Sequence, residues 1–177
     1  MKTPFFRRLT LPIALLAFGF ASLRATDIPL TSIEELARRA DVVVRGSVAS
    51  IEALRDGEGR PYTRLGLTVA ETWKGPSTNR LTVVQGSTVL GRRQVRVLGE
   101  PEFRLGEDAV VFAVFNPAGE AVTLDLARGK FSVRTNAATG NITAMSDGAR
   151  VSGGVALPGQ APVALDELRQ RVKVGRP

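Results

Sequence analysis

The side chains able to do chemistry fall in four short clusters. Asp56-Gly57-Glu58-Gly59 places two carboxylates two residues apart among glycines, as a calcium loop begins. Such a loop needs a third oxygen ligand at its fifth position and a glutamate at its twelfth, yet Arg60 and Pro61 follow. The segment therefore reads as a hairpin loop. Glu100 and Glu102 flank Pro101 and could face each other across a bend. Glu107 and Asp108 are adjacent, so on a strand they point to opposite faces and cannot share a proton as an acid pair. They read as solvating groups where a strand begins. Gly129-Lys130 looks like the end of a phosphate loop, but Leu124 stands where the earlier glycine belongs and Phe131 where the serine or threonine belongs. A turn before a strand is what remains. Lys74 and Lys130 could each serve a serine as a base, but no S-x-x-K occurs past residue 25.

The residues that are missing narrow the chemistry further. There is no cysteine and no histidine. Cysteine nucleophiles, disulfide scaffolds, Cys/His zinc sites and a Ser-His catalytic pair are all excluded. No cofactor or metal is expected. The elements that position the remaining groups belong to a chain of 177 residues, 44% hydrophobic and 23% charged, which is one globular domain with tails.

Lys2, Arg7 and Arg8 precede an apolar run from Leu9 to Phe20, and small residues follow at Gly19, Ala21 and Ala25. This is the layout of a secretory signal peptide, with cleavage after Ala21 or Ala25. The run is about a dozen residues, short of the roughly 20 that cross a bilayer. Residues 1–25 hold four basic residues and no acid. Of the chain's 24 basic and 17 acidic residues, 20 and 17 remain beyond them, and the net charge falls from +7 to +3. That is no argument for nucleic-acid binding.

The remainder reads mostly as β. Thr31 and Glu34 form a capping box, and Ile33, Leu36, Ala37 and Ala40 fall on one helical face. Val42 to about Ile51 is a strand with a bend or bulge at Gly46. Leu54–Pro61 is a turn cluster, and Leu65, Leu67 and Val69 alternate with polar residues in a second strand that runs to Trp73. Leu81, Val83 and Gln85 mark a third, and Gly86–Gly99 is ambiguous. Ala109–Phe115 is continuously apolar, so both its faces should be covered. Asn116–Gly119 leads into a strand through Val122, Leu124 and Leu126. Phe131 and Val133, then Ile142 and Ala144, form a last hairpin. Gly148–Gly159 reads as a loop before a helix marked by Leu165, Leu168 and Val172, with Asp166 and Glu167 in its first turn.

Asp41-Val-Val-Val-Arg-Gly-Ser-Val, Leu67-Thr-Val-Ala-Glu-Thr-Trp-Lys-Gly, Leu81-Thr-Val-Val-Gln, Gly99 to Phe112 and Ala127-Arg-Gly-Lys-Phe-Ser-Val together resemble a group of uncharacterised secreted bacterial proteins. That group is similar to the OB-fold barrel of tissue inhibitors of metalloproteinases and netrin-like modules. The resemblance spans about residues 31–135 and lies in strand order and loop placement. It implies a small five-stranded OB-like barrel over residues 26–147, with a short helix before it and a C-terminal hairpin. Residues 148–177 then form a glycine-rich loop and a short helix. Tissue inhibitors chelate the protease zinc through an N-terminal cysteine. Here the new N-terminus is Ser22 or Thr26, which offers only its main chain.

The expected function is an exported, non-enzymatic binding module for another exported protein, with a protease as the narrower possibility. The alternative is a secreted hydrolase or carbohydrate-binding protein using Asp, Glu and Arg side chains. A subunit of an exported assembly is a third reading. No stable membrane insertion is expected after signal cleavage. Trp73 reads as a core plug continuing the inward series Leu65, Leu67 and Val69. Phe103, Phe112, Phe115 and Phe131 fall in apolar series, which leaves no stacking platform for single-stranded nucleic acid. Partner binding is assigned to two rim loops, Leu54–Pro61 with Asp56, Glu58 and Arg60, and Gly86–Arg93 with Arg92 and Arg93.

Overall fold

The computed structural model describes residues 31–148 and 161–175. The expected leader, both expected cleavage points, the N-terminus they would create and most of Gly148–Gly159 lie outside the described residues. Helix α1 spans Ile33–Arg39 and buries Ile33, Leu36 and Ala37, with Ala40 buried just beyond it. Its cap is Ser32, one residue later than expected, and Ser32 Oγ accepts from the Glu35 amide at 3.1 Å. Ser32 and Glu35 have the same box spacing as Thr31 and Glu34. Tertiary partners decide between them. Thr31 donates to Asp125 at 2.7 Å, and Glu34 pairs at 2.6 Å with Arg171 of the C-terminal helix α2 (Leu165–Val174). The bond from Arg171 lowers the Glu34 carboxyl from 4.5 to about 2.

Among the described residues ten strands follow α1. They are β1 (Val42–Arg55), β2 (Pro61–Lys74), β3 (Arg80–Gln85), β4 (Thr88–Leu90), β5 (Arg93–Val95), β6 (Asp108–Phe115), β7 (Ala121–Thr123), β8 (Lys130–Thr135), β9 (Ile142–Ser146) and β10 (Val163–Ala164). Strands β1, β2, β3, β7 and β6 close on one another, because β1 pairs with both β2 and β6. The β3–β7 pairing is parallel and the others in the ring are antiparallel. This is a closed five-stranded OB-like barrel, with α1 before it, the β8–β9 hairpin extending its sheet, and α2 at the end.

Strand β6 explains its own unbroken hydrophobicity. Ala109, Val111 and Ala113 face the barrel interior with Val42, Val44, Leu65, Leu67 and Val83. Val110 and Phe112 face a second core built with Leu36, Phe131, Leu168 and Val172 under the two helices. Both faces are covered, as alternation across a strand requires for such a run.

Three register shifts interrupt the β1–β2 pairing, and the middle one changes which face the side chains take. The register steps from Arg45↔Glu71 to Gly46↔Val69, leaving Ala70 without a partner. A Cβ on Gly46 would stand 2.3 Å from the Thr68 carbonyl oxygen, so only glycine fits there. The extra residue also switches faces. Leu65, Leu67 and Val69 point into the barrel, while Trp73 joins the helix-side core. Trp73 is buried as expected, but it does not continue the inward series. The strand after Asn116–Gly119 is also shorter than expected. It ends at Thr123, and Asp125 and Leu126 take positive φ values of 53° and 57° ahead of a 3-10 turn over Leu126–Gly129. Leu124 is buried, whereas Val122 and Leu126 are exposed.

Candidate functional site

The ambiguous stretch Gly86–Gly99 forms its own two-stranded sheet, β4–β5, apart from the barrel. Four hydrogen bonds fix its base. The Glu100 carboxylate accepts from the Gly86 amide at 2.8 Å and the Ser87 amide at 2.7 Å. Ser87 Oγ accepts from the Val97 amide at 2.9 Å, and Thr63 Oγ1 donates to the Ser87 carbonyl at 2.7 Å. Its tip, by contrast, is bare. All of β5 is exposed, as are Gly91, Arg92 and Arg96, and Val89 is 63% and Leu98 86% exposed. A short sheet with an anchored base presents its side chains to a partner with little ordering cost on binding.

Beside the hairpin a cleft of about 400 Å³ descends toward Lys130. Lys130 begins β8 and is only 1% exposed, so it is not part of a turn. Alternation along Lys130-Phe131-Ser132-Val133 sends Phe131 into the helix-side core and Lys130 and Ser132 to the other face. Lys130 Nζ donates to Glu107 at 2.8 Å, to Asp147 at 2.9 Å and to the Glu102 carbonyl. Ser132 Oγ lies 2.7 Å from Glu107 Oε1 and 2.9 Å from Asp147 Oδ1. Burial pushes the Glu107 carboxyl up, but the bonds from Lys130 and Ser132 outweigh it and the net shift is downward. An ammonium that gives all three protons to hydrogen bonds has no lone pair to offer. Lys130 is therefore an electrostatic strut between β6, β8, β9 and the segment before β6, not a base for Ser132.

Comparison with protein-family models and with curated proteins finds no match.

Several expected roles are corrected by these contacts. Glu100 and Glu102 do not face each other, since Glu100 holds the hairpin base and Glu102 pairs with Arg96. Glu107 and Asp108 do point to opposite faces, but neither merely solvates a strand end. Asp108 binds Arg45 at 2.7 Å, and Arg45 in turn reaches Glu71 at 3.2 Å. Glu71 also accepts from Trp73 Nε1 at 3.0 Å and pairs with Arg169 of α2. Lys74 caps α1 by donating to the Ala37 and Arg38 carbonyls at 2.8 and 3.1 Å, and so serves no serine. Phe115 is 40% exposed rather than packed, whereas Phe112 and Phe131 are buried.

The two expected rim loops leave the same end of the β1–β2–β3 sheet, because Arg55 pairs with Pro61 and Thr63 with Gln85. No hydrogen bond or ion pair among the described residues joins one loop to the other. In the first, Asp56 Oδ1 accepts from the Glu58 and Arg60 amides at 2.9 and 2.8 Å, and Oδ2 accepts from Arg60 Nε at 2.7 Å. The Arg60 side chain foremost, then its amide, holds the Asp56 carboxyl below its ordinary value. Glu58 pairs with Arg60 at 3.0 Å. These three side chains are occupied in shaping their own turn. Arg92 and Arg93 form no ion pair with a described carboxylate, and they remain the better placed of the expected contacts.

Among the described residues no three potential metal-ligating side chains converge. No helix among them is long and apolar enough to cross a membrane.

Proposed function

We propose that the protein is an exported, non-enzymatic binding module that engages an acidic protein partner through the β4–β5 hairpin. One observation carries the reading. The hairpin stands outside the barrel sheet on a tied-down base, and its tip holds an exposed Val89 together with Arg92 and Arg93, which form no ion pair with a described carboxylate. Arginine beside exposed apolar groups is the composition of an interface centre rather than of an ordinary surface. Export, to the periplasm or outside the cell, is supported by the basic, then apolar, then small-residue pattern of residues 1–25. A protease as the partner is the narrower form of the proposal and rests on the resemblance to tissue inhibitors alone.

Replacing Arg92 and Arg93 by serine tests it. Both side chains are exposed, so the melting temperature should stay within about a degree or two, as surface changes usually do. Affinity for a partner captured from the exported fraction should fall and lose much of its salt dependence. Unchanged binding by the double variant contradicts the hairpin assignment, and unfolding shows the arginines to be structural.

A further inference from the structure

We infer that the binding face extends from the hairpin into the neighbouring cleft, and that it receives an extended segment of the partner in which an apolar side chain is flanked by carboxylates. This rests on the reading of the hairpin as the docking element and adds the chemistry of what docks. The cleft has an apolar wall of Val97, Leu98, Pro101 and Ala127. Leu98 is the most exposed large hydrophobic residue among those described, at 86%. Leu126, 48% exposed, adjoins the wall, because a Cβ on Gly99 would lie 2.9 Å from its Cδ1.

The backbone pays to make this surface. Asp125 and Leu126 are consecutive non-glycine residues in the left-handed region, at φ 53° and 57°. Each is a conformation that a side chain disfavours. Strain of that kind persists where the surroundings hold it, and it clusters at binding sites. Here it turns an apolar side chain outward and lets the Ala127 amide grip the Gly99 carbonyl at 2.7 Å, which fixes the wall of the cleft.

Charge selects the occupant. Glu100, Glu102, Glu107 and Asp147 all line the cleft, but each is engaged internally: with the hairpin amides, with Arg96, and with the Lys130–Ser132 pair. Arg104 and Arg134 line the same cleft, and neither forms an ion pair with a described carboxylate. With Arg92 and Arg93 on the hairpin, the charges left without partners are positive. Guanidinium groups favour carboxylates, which they grip in a two-pronged geometry. A second copy of this chain across a two-fold axis would set these arginines against their own counterparts, so the occupant is a different, acidic chain.

A random linear-peptide library selected on the immobilised protein tests this. Selected sequences should be enriched in Asp and Glu beside Leu, Ile or Phe, and should shift the amide NMR signals of Gly99 and Ala127. Leu98→Asp should weaken them at least tenfold without changing the melting temperature, since Leu98 packs against little. No enrichment, enrichment in basic peptides, or equal binding by Leu98→Asp each overturns the inference. So does concentration-dependent dimerisation that Leu98→Asp abolishes, or binding confined to phosphatidylglycerol vesicles. The two readings fail separately. Peptides that survive Arg92→Ser/Arg93→Ser but not Leu98→Asp remove the hairpin and keep the cleft, and the converse removes the cleft alone.

Discussion

Lys130→Met is expected to destabilise the protein by roughly 3–5 kcal/mol, because it leaves the buried Asp147 and the half-buried Glu107 without their counter-charge. Glu107 and Asp147 both bond to Lys130 and to Ser132, and methionine fills the lysine's volume while removing the charge. The loss should depend on pH. In the native protein the Glu107 carboxyl lies below its ordinary value, so its contribution is present above the unfolded value near 4.5 and is lost as pH falls. Without Lys130, burial is opposed only by the bonds from Ser132 and the Arg104 amide, so the Glu107 carboxyl rises from its native value and acid should cost the variant less than it costs the native protein. Denaturant melts at pH 7 and pH 4 should show the gap between native and variant narrowing in acid. A gap under about 1 kcal/mol at pH 7 would show that the cluster is looser than its distances imply.

Phe112→Ala should cost a similar roughly 3–5 kcal/mol. Phe112 is 0% exposed and lies centrally in β6, with its ring centroid 5.6 Å from that of Phe131. It joins the outer face of the barrel to the helix pair, so no neighbouring side chain can swing in to fill the void. The effect should appear in the denaturation midpoint with little change in slope. A loss under about 1 kcal/mol would mean the helix-side core can collapse onto the gap.

The elements with strong periodicity were legible from residue types. Alternation located β2, β3, β8 and β9, the unbroken Ala109–Phe115 run announced a strand covered on both faces, and Gly46 marked the bulge beside it. What escaped the sequence was decided by partners far along the chain. Thr31 and Ser32 are equally good caps in isolation, and Asp125 and Arg171 choose between them. Trp73 keeps the parity of Leu67 in sequence but changes face, because the residue left unpaired at Ala70 is visible only once β1 and β2 are in register. Lys130 looked like a turn residue beside Gly129. The signal that could have found it was the polar alternation of Lys130 and Ser132 within an otherwise apolar strand. Asp147 reaches them only through the β8–β9 register, where Phe131 pairs with Ser146.

The same limits apply to function. The arginines of the hairpin could be named from composition, because exposed charge in a glycine-flanked loop is a local property. The cleft could not, since it is assembled from the segment before β6, Ala127 just past the strained Asp125–Leu126 pair, both ends of β8 and Asp147. In the proposed reading the barrel and the Lys130 strut act as the mount, and the exposed hairpin and cleft wall are the surface it presents.

The most direct measurement is in-cell photocrosslinking with a light-activated residue at one of two positions. One is Val89 on the hairpin, 63% exposed; the other is Ala138, exposed at the tip of the β8–β9 turn. Both sites tolerate substitution without loss of packing, so the comparison isolates location. The account predicts a discrete adduct with one other exported protein from Val89 and none from Ala138, and the Val89 adduct should vanish when Arg92 and Arg93 are serine. An adduct from Ala138 alone, or none from either position, would contradict it.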